Sequence, residues 1–402
     1  LPRHALTDDD PAADWAERPW PSAGPFRFLG WDESAGPPAQ PGSIAVFERN
    51  PAYWRTDAAG RALPYLDTVT FRLVTDARGA VEAFALHQLD AVDLGPWPDV
   101  VSRLRRLSGV ALATGNGSSW EQISFQFGVN NRNQDSLNQS TSFRRAVAHA
   151  LDRGRLTSLA SWVNGGTLRS FLDLSPIPGG QGWDRYGYDP ALAAALLEDA
   201  CSAAGRDCVA DPPVVLISTT AEGALRPRLA EMVAEMLTAI GCEARLAVEE
   251  SALFFGRTFA RGDWDLGIWA WEMPGGASGV GRMLATWDPA GAPPLGMNYQ
   301  RWATDEVTGY GEDLDQAASP VAGPAPGAYA ALLAELATTV ERDRYFELAA
   351  DAEEVLADQV VLIPLATRGR ALAWWEASLA GLRLHPYRPG TWNLESWYRP
   401  EA

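Results

Sequence analysis

The sequence predicts an α/β protein of two domains, on three observations. Its 402 residues exceed one ordinary domain, so two are expected. Short runs alternate apolar and polar residues with the period of a half-buried strand, beginning with Val69, Phe71 and Leu73 around Thr70 and Arg72. Between such runs lie segments with helical spacing, such as Phe143, Val147 and Leu151. Hydrophobic residues at 47% and charged residues at 21% suit a globular protein with a real core.

The elements follow in order. Leu1–Arg27 is loop-rich around Pro19-Trp20-Pro21. Ser43–Arg49 is a strand with Ile44 and Val46 on one face and Phe47 on the other. Asn50-Pro51-Ala52-Tyr53-Trp54 is a turn, because Pro51 fixes its own φ and biases Asn50 away from helix. Gly79–Leu89 places Ala80, Phe84 and Leu86 at helical spacing. Trp97–Leu107 is a short helix and Val110–Thr114 a strand. Trp120–Asn131 is a second strand, with Ile123, Phe125 and Phe127 alternating with Ser124 and Gln126. Ser142–Leu159 is one helix with Ser142 as its N-cap. Asp189 caps the next helix, to Ala200, with Pro190 in its first turn. Val214–Ile217 is a strand, Leu225–Ile240 a helix closed by Gly241, and Cys242–Val248 and Asp263–Ala270 are strands. Helices are expected around Thr304–Leu314 and over Arg342–Asp358, with a surface insertion or linker at Ala317–Ala328. Gln359–Ala366 is a buried strand, and an aromatic tail covers Trp374–Trp397.

The formal charge is −18, so nucleic-acid phosphates and anionic lipid headgroups are repelled as partners. Every basic residue other than histidine is arginine, as codon bias in a GC-rich genome produces. No apolar run is long enough to span a bilayer. The chain starts at Leu1-Pro2-Arg3-His4 without Met or an apolar leader, which reads as a processed, excised or truncated end. Of the three cysteines, Cys201 and Cys208 are the natural pair in an oxidising compartment, with Cys242 a buried small hydrophobe. Three free thiols are the alternative.

An enzyme site is not visible. The four histidines are His4, His87, His149 and His385, and no Gly-x-Ser-x-Gly elbow, His-Glu-x-x-His pair or phosphate-cradling glycine loop occurs. Glu249 and Glu250 are adjacent and point apart in a strand. No cofactor or metal is implied. The 17 tryptophans stand out, many at strand ends or loops: Trp120, Trp162, Trp183, Trp269, Trp271, Trp287 and Trp302. Rigid aromatics there stack on ligands or pack core and hinge.

Several segments carry a resemblance. Arg49-Asn50-Pro51-Ala52-Tyr53-Trp54, Leu63-Pro64-Tyr65-Leu66-Asp67 and Leu89-Asp90-Ala91-Val92-Asp93-Leu94 are the densest. Gly24–Phe28, Ser142–Leu159, Asp189–Ala200, Asp263–Trp271 and Gln359–Ala366 follow in the same order. Together they resemble the extracellular solute-binding proteins of ABC importers, family 5, of the oligopeptide, dipeptide and nickel-binding type. The resemblance implies a two-lobed type II periplasmic-binding-protein fold with mixed sheets, lobe I being residues 1–128 plus 370–402 and lobe II 129–369. It also implies a further N-terminal portion, with the first strands of lobe I and an accessory domain, that lies outside this sequence.

The function it implies is capture of a peptide or other small solute between two lobes by hinge closure, and delivery to a membrane permease without chemistry. The protein would be a monomer outside the cytoplasm, in the periplasm or at the cell surface, with a lipid anchor on the missing N-terminal portion as one arrangement. The site residues are Trp271 on the cleft-lining loop and Glu272 beside it, the substitute for an acid that peptide binders place a few residues further on for the ligand's ammonium, where this chain has Met273-Pro274-Gly275-Gly276. Trp269, Asn298, Tyr299, Trp120 and Asn130 complete the set. Arg144 reads as an ion-pair or helix-surface residue of its motif. The competing readings are a truncated or degenerate homologue that binds nothing, and an enzyme with an unrecognised site.

Overall fold

The computed structural model describes residues 22–400 apart from 38–39, 41, 75, 96–97, 129, 131, 161–166, 176–179, 294–295 and 303–323. The expected helix around Thr304–Leu314, Trp162 and most of the N-terminal loop therefore lie outside the described residues. The chain divides into two compact units: unit 1 is Leu1–Gly115 with Gly369–Ala402, and unit 2 is Asn116–Arg368.

Unit 1 begins with three antiparallel strands in the order β1-β2-β3: β1 (Phe26–Trp31), β2 (Ile44–Arg49) and β3 (Thr68–Arg72). The turn after β2 is held by Asn50 as well as by Pro51. The Asn50 Nδ2 donates to Ser22 O at 3.2 Å and Gly24 O at 2.8 Å, and its Oδ1 accepts from Ala52 N at 3.1 Å. Asp76 caps α1 (Ala77–Ala85) by accepting from Gly79 N. β4 (Ala91–Leu94) and α2 (Pro98–Leu104) follow, and β4 pairs antiparallel with Ala371–Trp374. Phe84 of α1 is fully buried and stacks on Trp375, with centroids 4.9 Å apart.

The two strands expected at Val110–Thr114 and Trp120–Asn131 are one, β5 (Val110–Phe125). Partners hold the residues between the two expected strands extended: Met273 N donates to Ser118 O at 2.8 Å and Ser119 pairs with Glu272. The first unit boundary falls inside this strand, at Gly115, rather than at its end.

The helix expected over Ser142–Leu159 is two, α3 (Thr141–Ala150) and α4 (Arg153–Ala160). Ser140, not Ser142, is the N-cap, its Oγ accepting from Phe143 N at 3.3 Å. The break has a local cause: Leu151 is extended (φ −88°, ψ 115°), and the Asp152 carboxylate accepts from Arg155 N at 2.9 Å to start the second helix. Among the described residues Arg144 has no ion-pair partner, and it is not on the surface. It is 1% exposed, its guanidinium donates to Gln359 O, Asn138 O, Gln139 O and Thr141 Oγ1, and burial pushes it down to about 9.

α5 (Pro190–Ala203) starts as its residues predict, Asp189 accepting from Ala191 N at 3.1 Å and Leu192 N at 3.0 Å. It leads through the Cys201–Cys208 disulfide, Cα atoms 5.9 Å apart, towards β6 (Val214–Thr220). α6 (Leu225–Ala239) ends before Gly241, whose φ of 106° suits glycine alone, and β7 (Glu243–Glu249) follows. Cys242 is free and buried, and burial pushes its thiol up to about 12, which makes it an inert small hydrophobe. β8 (Leu266–Glu272), α7 (Ala277–Leu284), α8 (Pro324–Thr338), α9 (Arg342–Asp358) and β9 (Leu362–Trp375) complete the chain. α8 takes the last residues of the stretch expected to be a linker, and β9 runs well past Ala366.

Within unit 2, β6 is parallel to β7 and β8, and residues 119–125 of β5 run antiparallel to β8. One face of this sheet packs on rings: Trp120 stacks on Phe171 at 5.1 Å, and Phe171 meets Trp183 and Trp287. A second cluster joins Phe254, Phe259, Trp264 and Trp269.

Candidate functional site

In an open α/β sheet, ligands bind beyond the carboxyl ends of parallel strands. In unit 2 those ends are Thr220 on β6, Glu249 on β7 and Glu272 on β8. Strand alternation puts Trp269 and Trp271 on one face of β8 and Ala270 on the other. Across the ladder Trp271 faces Trp120, Trp269 faces Gln122 and Ala270 faces Glu121. One side of this sheet end is therefore aromatic and the other charged.

On the aromatic side, the Gln122 amide, turned to satisfy its neighbours, accepts from Trp271 Nε1 at 2.7 Å and Trp269 Nε1 at 3.3 Å. The two indoles meet edge to face at 6.4 Å. The Trp269 ring lies across Gly267, a position with no room for a Cβ. Trp269 also contacts Phe259, which lies 4.2 Å from the Tyr299 ring. Trp269 is 1% exposed, whereas Trp271 and Tyr299 are half-buried and present ring surface to solvent.

On the charged side, Glu121 is fully buried. Arg226, in the first turn of α6, approaches Glu121 Oε2 with its Nε at 3.3 Å and donates from Nη1 to Thr220 Oγ1 at 3.0 Å. The Nε of Arg368, on β9, lies 3.3 Å from Glu121 Oε1. Burial lowers the Arg368 pKa, Glu121 opposes this, and Arg226 adds to it. Glu272 is exposed at the strand end, where Ser118 Oγ donates to it at 2.9 Å.

The structure thus brings Trp269, Trp271 and Tyr299 together and leaves Glu272 beside them. Trp120 is on the same strand pair but is fully buried against Phe171. Asn298 is fully buried and staples a turn, its Nδ2 donating to Asp288 O and Trp302 O, each at 3.0 Å. Asn130 is at the other end of the sheet, donating to Asp265 Oδ1 at 2.9 Å. Asn133 and Leu216 N donate to the second oxygen of Asp265 at 2.6 and 2.7 Å. Burial raises the Asp265 carboxyl against these hydrogen bonds.

Sequence reasoning missed Glu121, Arg226 and Arg368. The available signal was a glutamate inside the otherwise apolar and amide-bearing run Trp120–Phe127. Among the described residues no group of three or more His, Cys, Asp or Glu is placed to hold a metal ion. A groove of about 1570 Å³ lies in unit 1 between β3, β4 and Tyr398, and none of the expected site residues lines it.

A profile described as bacterial extracellular solute-binding proteins, family 5 Middle, matches residues 2–279. The oligopeptide-binding protein AppA of Bacillus subtilis is 26% identical over 292 residues, 68% of this chain and 48% of that protein. A probable ABC transporter-binding protein of Deinococcus radiodurans is 27% identical over 175 residues, 39% of this chain and 28% of that one. The chain thus spans less than half the length of these relatives. The solved structure of AppA with a nonapeptide superposes with a TM-score of 0.63 at 20% identity, covering 94% of this chain and 66% of that one. NikA of Brucella suis with Fe(III)-EDTA gives 0.66 at 16%, covering 90% and 66%. At these identities the likeness establishes the two-lobed α/β fold of binding proteins.

Proposed function

The chain belongs to the bacterial extracellular solute-binding proteins of family 5, and from that premise we propose that it is the solute-capturing component of an ABC importer. Its ligand is a peptide or a similar small solute, passed to a membrane permease without chemical change. Capture through an open–closed equilibrium of its two units is part of this reading.

One observation carries the reading: a half-buried aromatic surface, Trp271 and Tyr299, and a charged cluster built on the buried Glu121 share the end of one sheet. Small-molecule sites combine apolar walls with a few orienting polar groups. Trp271, Tyr299 and Glu272 touch the solute in this reading, with Trp269 behind them. Trp120, Asn298 and Asn130 are scaffold. The Cys201–Cys208 disulfide suits an oxidising compartment, so we place the protein outside the cytoplasmic membrane, working as a monomer.

Thermal unfolding with and without a mixed peptide pool tests this. A ligand at about 100 times its Kd that binds only the native state adds roughly 2.7 kcal/mol. A cooperative melt that moves upward is expected. A cooperative melt that the pool leaves in place excludes peptides as the ligand, and turnover of the pool by the purified protein would replace capture with catalysis.

A further inference from the structure

Two guanidiniums close on the buried Glu121 carboxylate from different elements, Arg226 from α6 and Arg368 from β9, each with Nε at 3.3 Å. One carboxylate is thus contacted by two cations. Glu222, on the turn before α6, also acts on Arg226 through its charge, but its oxygens are engaged by Ser251 N and Ser251 Oγ, both at 2.6 Å, and supply no donor site to either guanidinium.

Arg368 is the less satisfied of the pair. Its side chain is 29% exposed, yet among the described residues none of its nitrogens donates a hydrogen bond, the approach to Glu121 lacking the alignment of one. A guanidinium offers five donors in a planar fork that matches a carboxylate. Withdrawing those donors from water without partners is unfavourable. Beside Arg226, the 15-residue helix α6 begins with no side-chain cap, so its first N–H groups add positive potential at the same place.

We propose that Arg368 and Arg226 form a subsite for a carboxylate of the captured solute, which makes that solute an anion or a zwitterion. Glu121 is a positioning residue: it holds the two guanidiniums in place and offsets one of their charges. The donors that Arg368 leaves unused match one carboxylate. The proposal rests on the reading of the chain as a solute-binding protein and names what its ligand must carry.

Acetate is the minimal probe, titrated into the full chain at ionic strength held constant with chloride. Calorimetric melts are recorded for the wild type, Arg368→Gln and Arg228→Gln. Arg228 lies on the exposed face of α6, paired with Glu231, and controls for general loss of charge. Acetate should raise the Tm of the wild type and of Arg228→Gln saturably, with about tenfold or weaker affinity in Arg368→Gln, as loss of charge-assisted hydrogen bonds gives. Should Arg368→Gln fail to fold, Arg368→Lys keeps the charge and loses the fork, and should bind several-fold more weakly. Equal responses in the wild type and the Arg368 variant, or no response beyond that to chloride, overturn the subsite. A mixed tripeptide pool with free carboxyl ends, compared with the same pool amidated, separates the two readings. If neither pool moves the melt while the acetate difference persists, the subsite stands and peptide capture fails. If both pools move it equally and acetate does not, capture stands and the subsite fails.

Discussion

In unit 2, six described tryptophans are less than 2% exposed: Trp120, Trp183, Trp264, Trp269, Trp287 and Trp302. In unit 1, Trp397 is buried, Trp31, Trp374, Trp375 and Trp392 are half-buried, and Trp54 is 79% exposed. The carboxylates differ in the same way. Asp57 of unit 1 is half-buried, and hydrogen bonds from Tyr65 and Arg61 lower it. Asp265 and Glu353 of unit 2 are buried, and desolvation raises both. One unit has a dense interior into which charge has been forced. The other has a thin sheet, with Phe71, Leu73 and Val74 more than a third exposed on and just after β3, beside a wide groove. An aromatic-rich sequence therefore describes two different environments, and the number of tryptophans alone says little about ligand contact.

The sharpest test of that contrast uses one kind of side chain in both units. Phe171 is fully buried among Trp120, Trp183 and Trp287. Phe171→Ala should destabilise the protein by about 3–5 kcal/mol, through lost burial and a cavity that rigid neighbours cannot fill. Phe71, on β3, is 36% exposed, and Phe71→Ala should change stability by about 1 kcal/mol. Urea unfolding followed by circular dichroism measures both. Equal losses would mean that unit 1 is packed as tightly as unit 2.

The next test reverses a sign. Glu353 is 1% exposed, accepts from Ser170 Oγ at 2.6 Å and Gly180 N at 3.0 Å, and is pushed up to about 7 from an ordinary 4.5, burial outweighing the hydrogen bonds. The folded state holds this proton more tightly than the unfolded chain. The stability it contributes is complete below about pH 4.5 and lost as the pH rises through about 7, about 3 kcal/mol in all. Asp57 acts in the opposite direction, contributing above its ordinary value and losing that contribution in acid. The urea midpoint should fall between pH 5 and pH 7.5, and Glu353→Gln should flatten that slope. A wild-type midpoint unchanged over this range would remove Glu353 as a buried, raised acid.

Much of the fold was legible because local chemistry agrees with tertiary structure. Asp189-Pro190 starts a helix, Gly241 ends one, and the alternation in Asp263–Ala270 marks β8. One failure occurred where partners distant in sequence decide, and another where a single local cap overrides the apolar spacing. Asn116–Ser119 stays extended because it pairs with Glu272 and Met273, and Asp152 restarts a helix that apolar spacing alone would continue. The site divides likewise. Trp269, Trp271 and Glu272 are neighbours on one strand and could be read together. Glu121 and Arg226 are 105 residues apart, and nothing local ties either to Arg368. Asn130 and Asn298 carry the right functional groups, but both are consumed by backbone and carboxylate partners of the scaffold.

The smallest expected effect decides which unit orients the ligand. Glu272 is exposed at the end of β8 and held by one hydrogen bond from Ser118 Oγ, so it is free to meet an ammonium without prior loss of a buried partner. Glu272→Gln keeps the size of the side chain and removes its charge. It should weaken binding of a peptide that shifts the wild-type melt by more than about tenfold, some 1.4 kcal/mol, and leave the melt of the unliganded protein in place. Arg72 lines the groove of unit 1 and donates to Gln88 Oε1 at 3.2 Å. Arg72→Gln should leave the same affinity unchanged if the wide groove is not where the ligand is oriented. Isothermal titration of both variants with one peptide gives the answer directly. Loss of affinity in Arg72→Gln with none in Glu272→Gln would move the orienting contact from the charged end of the unit 2 sheet to the open groove of unit 1.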